Sequence, residues 1–177
     1  IAGILSPFHS FGGYILGLSM TGAALWLLKY DMAKHSLKKP GQAFYSGLLL
    51  LAAYVWLAIT GLFMAYGSYY GLLYDAAIHS FFLGFVFSMI FAHAPMILPA
   101  VLTINVNPFS RMLYIWFVFL QATLLLRVSG VFTGNAEYKQ LAGMLNGIAI
   151  LGFFVNVIIL TRLAKRRANS FTAAAIP

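Results

Sequence analysis

The strongest constraint on this fold is a series of five long apolar runs, separated by short polar connections. The runs are Phe11–Leu28, Phe44–Ala65, Asp75–Thr103, Phe109–Leu126 and Leu141–Leu163. Each is near the ~20 residues that an α-helix needs to cross about 30 Å of hydrocarbon. The sequence is 62% hydrophobic and 8% charged, which is far too apolar for a soluble domain of this size. It therefore predicts an all-α bundle of five transmembrane helices.

The basic residues predict how this bundle is oriented. Alternating loops place nine of the 11 Lys and Arg residues on one side: Lys29, Lys34, Lys38, Lys39, Arg111, Arg162, Lys165, Arg166 and Arg167. Arg127 and Lys139 fall on the other side. Since basic loops stay in the cytoplasm, we expect the N-terminus outside and the C-terminus inside, in a bacterial inner membrane. The net charge of +8 is then a topology signal, and we expect lipid rather than nucleic acid as its partner.

Residues 1–177 are predicted to form a single transmembrane domain. The sequence begins with Ile1 rather than Met, so we expect a processed chain or part of a longer protein. It contains no cysteine, which excludes disulfides, thiolate metal sites and covalent haem attachment through a C-x-x-C-H motif.

The third run carries two histidines, His79 and His93, which are the main candidates for a functional site. Fourteen positions separate them. At about 100° per residue they would point to nearly the same side of a regular helix, roughly 21 Å apart along its axis. Ionisable side chains at membrane depth are often functional. The alternative is that each neutral imidazole hydrogen-bonds a neighbouring helix.

The same spacing is used by cytochromes b to hold two stacked haems, which requires two further ligands on another helix. His9 lies at the predicted outer level of His79 and is followed by Gly13 and Gly17, which either leave room for a macrocycle or serve helix packing. His35 lies in a lysine-rich loop and is expected to be solvated. These residues predict at most one bis-histidine haem b, near the outer face. His93 is then a single ligand or part of a pocket.

Several other polar and small residues have predicted structural roles. Arg127 is expected to snorkel to the headgroups, with a haem propionate as the alternative partner. Asp75 is expected to cap the third helix. Pro95 and Pro99 are expected to kink its inner end. The small residues of that helix should contact a neighbouring helix closely, and other polar side chains should bond between helices. The small residues are Ser80, Gly84, Ser88 and Ala92, and the polar ones are Gln121, Thr123, Asn146, Asn156 and Thr161.

Two stretches, HSFFLGFVFSMIFAHAPMILPAV and LLLRVSG, resemble part of the NnrS family. Those are multi-spanning bacterial membrane proteins that contain haem and copper and are linked to nitric oxide metabolism. On this resemblance His79 and His93 are the positions that carry over, and copper becomes a further cofactor. The sequence departs from the family at Ala94-Pro95-Met96, where the family has Thr-Gly-Arg, and family members are considerably longer.

Together these features predict a haem-binding multi-pass membrane protein, active in electron transfer or nitric oxide handling and not an enzyme on its own. A second interpretation is a non-catalytic subunit that packs against a larger respiratory or photosynthetic complex. A small transporter is a third, weakened because the three carboxylates, Asp31, Asp75 and Glu137, all lie at boundaries or in loops. In the first two interpretations, other membrane subunits are expected partners.

Overall fold

The computed structural model confirms the all-α fold and its five long helices. It describes residues 10–67, 73–101, 103, 106 and 108–174. The long helices are α1 (Ser10–Tyr30), α3 (Gln42–Gly67), α4 (Tyr74–Val101), α5 (Met112–Phe132) and α6 (Ala136–Ala174), and a short helix α2 (Ala33–Ser36) lies between α1 and α3. All five are long and apolar enough to cross a membrane.

The long helices are arranged largely in chain order, so the bundle is a row rather than a closed ring. Helix α1 packs on α3, α3 packs along α4, and α5 packs along α6. Helix α4 also touches α5, and its second half reaches α6. Within the described ranges α1 and α6 therefore form the two edges. We call the end at which α4 begins the His79 end, and the opposite end the His93 end.

Two glycines allow α1 and α3 to approach each other closely. A Cβ added at Gly17 would lie 2.5 Å from the Gly61 carbonyl oxygen, and one added at Gly61 would lie 2.6 Å from the Gly17 carbonyl oxygen. Only glycine on both sides permits this backbone contact, which is how small residues drive helix association in lipid. The face of Gly17 is therefore filled by α3. Gly17 therefore serves helix packing, and α3 leaves no space for a macrocycle beside it.

The stripe of small residues on α4 forms a buried contact, as predicted. Ser80, Ser88 and Ala92 are fully buried, and Gly84 is buried as well. A Cβ at Gly84 would come within 2.7 Å of the Cβ of Trp56 on α3. The partner of Gly84 is thus an indole side chain rather than a helix backbone, because α3 presents its largest residue at this level.

Polar side chains tie the middle of the bundle together across three helices. The Trp56 indole nitrogen donates to Gln121 Oε1 at 2.6 Å, and Gln121 Nε2 donates to Ser88 Oγ at 3.0 Å. These bonds join α3, α5 and α4. They confirm the prediction that Gln121 bonds between helices, and they satisfy groups that would otherwise be costly to bury.

The other predicted polar contacts have three different outcomes. Thr123 donates to Asn146 Oδ1 at 2.6 Å and so links α5 to α6, as expected. Thr161 instead donates to the Val157 carbonyl of its own helix at 2.8 Å, as a Thr in a helix interior often does. The Asn156 Oδ1 atom is buried with no hydrogen-bond partner within the described part of the chain.

Helix α4 is not a uniform α-helix. It is α-helical at Tyr74–His79, continues as a π-helix over Ser80–Val86, and returns to α-helix at Phe87–Val101. A π segment places an extra residue in a turn, so residues beyond it are rotated by about 100° from their α-helical positions. This segment begins immediately after His79, and π segments in other proteins are frequent at functional sites.

Candidate functional site

The orientation of the His79 ring is set by its own helix. Its Nδ1 atom lies 2.7 Å from the Asp75 carbonyl oxygen, one turn earlier. A carbonyl oxygen only accepts hydrogen bonds, so Nδ1 must carry the proton, and in the neutral ring Nε2 keeps its lone pair. The side chain is 28% exposed and therefore accessible from outside the core. This is the tautomer and support that a metal-ligating histidine usually has.

His93 repeats this arrangement near the other end of α4. Its Nδ1 atom lies 2.8 Å from the Met89 carbonyl oxygen, and the side chain is partly buried. Pro95 and Pro99 follow it in the same helix, which nevertheless continues to Val101. The Ser46 hydroxyl of α3 donates to the Ala92 carbonyl at 2.8 Å, just before this proline-rich part. His93 thus also presents a free Nε2, beside backbone held by α3.

The two histidines do not share one face of α4, and this corrects the expectation from their spacing. On a regular helix the rings are separated by about 40°. The π segment lies wholly between them and shifts this separation to about 140°. A pair of haems stacked along one face of α4 is therefore not the arrangement that this helix offers, and each ring must be considered separately.

An ion pair lies beside His79. Arg127 Nη2 on α5 donates to Asp75 Oδ1 on α4 at 2.9 Å, and the same oxygen is 3.3 Å from His79 Nδ1. The N-cap position of α4 is Leu73, and Asp75 lies inside the first turn, so its predicted capping role is wrong. The Arg127 side chain is only 17% exposed and is held by the Asp75 carboxylate instead of extending freely to the surface. The attraction between the two charges overrides both local preferences in this partly buried place.

Arg127 also connects α5 to α6. Its Nη1 atom donates to the Lys139 carbonyl at 3.0 Å. A Cβ at Gly143 would lie 3.3 Å from the same Nη1 atom, so the absence of a side chain there makes room for the guanidinium. Two of its five N–H donors are occupied, so a further anion would have to bind Arg127 while Asp75 is bound as well. Its predicted contact with a propionate is therefore compatible with the site, although the guanidinium already has a carboxylate partner.

The remaining histidines lie apart from this cluster. His35 is exposed in α2, which agrees with its interpretation as a solvated residue. His9 lies outside the described residues, so its proposed ligation is not tested by the structure. Helix α1, which follows it, packs against α3 and not against α4 within the described ranges.

The described residues offer single imidazoles rather than a cluster of metal ligands. Among the described residues, no three His, Asp or Glu side chains come close enough to hold a metal ion. A copper centre built from three such side chains therefore has no counterpart in that part of the chain. A haem brings four nitrogen ligands of its own and needs only an axial imidazole, which His79 and His93 each offer.

These features define a class: a five-helix membrane protein with two backbone-anchored histidines on a central helix and an arginine–aspartate pair beside one of them. Residues 2–162 match a family described as a domain of unknown function, DUF8744, and the chain belongs to that family. No curated protein and no solved structure matches the chain.

Proposed function

We propose that this chain is a haem-binding multi-pass membrane protein of the bacterial inner membrane, with His79 as an axial ligand of a b-type haem. The observation that carries the proposal is the bond from His79 Nδ1 to the Asp75 carbonyl, which leaves the Nε2 lone pair for a ligand on a side chain that is 28% exposed. Neutral imidazole is a common ligand of iron in proteins. The resemblance of the surrounding stretch to haem-containing membrane proteins supports the same conclusion.

The residues around His79 have defined parts in this proposal. The Asp75 carbonyl fixes the ring, and the Asp75 carboxylate, 3.3 Å from Nδ1, increases the donor strength of Nε2. Arg127 holds that carboxylate in place and is the nearest candidate to meet a propionate. The haem, when bound, supplies the redox chemistry of electron transfer or the binding of nitric oxide.

For a second histidine on the same haem, the sequence predicts His9. His9 lies outside the described residues, and α1, which follows it, packs on α3. His93 sits at the other end of α4 on a different face, so it cannot ligate the same iron as His79. Accordingly, His93 is proposed as the ligand of a separate group, haem or copper.

An accessory subunit is the second candidate function, favoured by the open row of helices. Both edge helices present large apolar side chains outwards. On α1 these include Phe11, Leu18, Leu25 and Trp26, and on α6 they include Met144, Leu151 and Val155. Lipid suffices to cover such faces, but so does another membrane subunit. This proposal places the chain against a larger respiratory or photosynthetic complex, with or without haem.

Optical spectra of membranes that contain the full chain test the haem proposal. We expect reduced-minus-oxidised spectra with the Soret and α bands of a b-type haem, lost or strongly reduced in His79→Ala. His35→Ala is the matched control, because that imidazole is exposed on α2, and it should leave the spectrum unchanged. A wild-type spectrum without these bands would favour the accessory-subunit alternative.

A further inference from the structure

Helices α4 and α6 diverge towards the His79 end and leave a wedge-shaped crevice. At the His93 side of α4 the Phe91 ring stacks on Phe153 of α6, with ring centroids 3.6 Å apart. Towards the other end, the first turns of α4 and its π segment pack on α3 and α5, and within the described residues they make no comparable contact with α6. Helix α5 lies along both and forms the floor of the crevice.

The mouth of the crevice is a groove with both signs of charge. Its lining is Asp75 from α4, Arg127 from α5, and Ala136, Lys139 and Gln140 from α6. The Asp75 side chain is 37% exposed, and its Oδ2 atom is a buried acceptor with no hydrogen-bond partner in the described part of the chain. On the other side of the pair, Arg127 Nε is a buried donor without a hydrogen-bond partner in the described part of the chain. One groove thus offers an anion and two cations.

Below the mouth, α6 carries two glycines on one side. Gly143 and Gly147 lie one and two turns beyond Lys139. Gly147 is exposed, and within the described residues an added Cβ there has no heavy atom within 4 Å, while one at Gly143 has only Arg127. From Lys139 down to the stacked rings at Phe153 is a rise of roughly 21 Å. The surface of α6 between these two levels is long enough to contact much of an acyl chain.

We propose that this crevice binds a phospholipid whose headgroup carries a primary ammonium, such as phosphatidylethanolamine. The ammonium meets the Asp75 carboxylate, the phosphate meets Arg127 and Lys139, and one acyl chain lies over Gly143 and Gly147. The charge pattern selects this headgroup. Phosphatidylcholine has no N–H to donate to a carboxylate, and phosphatidylglycerol has no cation. Charge-assisted hydrogen bonds are stronger than neutral ones, so a headgroup that lacks one of them should bind more weakly.

This inference does not rest on the proposed haem. The groove lies one turn from His79, and a haem on that residue would border it. Binding of lipid is measured on purified full-length chain without haem supplementation, so its outcome is separate from the spectral test.

The experiment is native mass spectrometry of the detergent-solubilised chain, titrated with three phospholipids that share the same acyl chains. We expect phosphatidylethanolamine to bind about tenfold more tightly than phosphatidylcholine or phosphatidylglycerol, the ratio of one charged hydrogen bond. The Asp75→Asn variant should bind the three lipids about equally. The Glu137→Gln variant, which removes an exposed carboxylate in the first turn of α6, should keep the preference for phosphatidylethanolamine. Equal binding of all three lipids to the wild type overturns the proposal.

A second pair of variants tests the acyl track without touching the ion pair. Gly147→Leu should weaken binding of all three lipids several-fold, while Gly22→Leu on α1, where an added Cβ also meets nothing within 4 Å, should not. Neither substitution creates a clash, so both variants should fold. Soluble phosphoethanolamine should compete only weakly. Full competition by it, or unchanged binding in Gly147→Leu, would show that no acyl chain lies in the crevice and would contradict the proposal.

Discussion

Arg127 and Asp75 are separated by 52 positions in the sequence, yet Arg127 Nη2 donates to Asp75 Oδ1 at 2.9 Å. This bond joins α5 to α4, and the bond from Arg127 to the Lys139 carbonyl extends the connection to α6. One guanidinium therefore holds three helices at the end of the bundle where His79 lies. Because opposite charges meet there, neither is left unpaired near the hydrocarbon, where an isolated charge is expensive.

Removal of one partner of this pair should destabilise the bundle more than removal of both. We expect Asp75→Leu or Arg127→Leu to cost about 1–3 kcal/mol, less than a fully buried pair because both side chains are partly exposed. The double variant should recover part of that loss, since no charge remains unpaired. Thermal unfolding in a fixed detergent measures this. Additive losses in the double variant would show that the charges do not interact.

The contact of Gly84 with Trp56 predicts a local steric effect. Gly84→Leu should destabilise the chain by about 1–3 kcal/mol, because an added side chain overlaps the indole. Gly147→Leu is the control, since that glycine faces open space. If Gly84→Leu unfolds at the same temperature as the wild type in detergent, then the packing described for α3 and α4 is incorrect.

The glycine pair between α1 and α3 predicts a separate effect on α1. Gly17→Val should push α1 away from α3, whereas Gly22→Val should leave it in place, because an added Cβ at Gly22 meets nothing within 4 Å. Paired spin labels on α1 and α3 report the distance between these helices. An increase in both variants, or in neither, would argue against the close contact at Gly17.

Membrane orientation is still a prediction from the basic loops. The sequence lacks cysteine, so single cysteines can be introduced at Lys38 and at the exposed Thr133. A membrane-impermeant maleimide added to intact cells should label Thr133→Cys and spare Lys38→Cys, because the lysine-rich side is expected in the cytoplasm. The reverse labelling pattern would invert the bundle and move His79 to the cytoplasmic face.

Hydropathy and residue spacing were enough to predict the five helices, the buried small stripe on α4 and the interhelical bonds of Gln121 and Thr123. These features depend on residue type along one helix, which a sequence displays directly. The Asp75–Arg127 pair was not predicted, although both residues were assigned to the same boundary. Whether they meet depends on how α4 and α5 are rotated about their axes, and hydropathy does not determine that rotation.

The π segment Ser80–Val86 was missed for a related reason. Its residues are as apolar as the rest of the helix, and hydropathy does not distinguish a π-helix from an α-helix. The consequence was the wrong relative orientation of His79 and His93. Any spacing argument that assumes 100° per residue fails across such a segment.

The central claim is that His79 ligates a b-type haem, and the haem content of the purified protein tests it most directly. After expression with ample haem supply, the pyridine haemochrome assay should give close to one b-type haem for each wild-type chain. The value should fall sharply for His79→Ala and stay unchanged for His35→Ala. Wild-type protein that is folded and monodisperse but carries no haem, or a His79→Ala variant that retains all of it, would contradict the account.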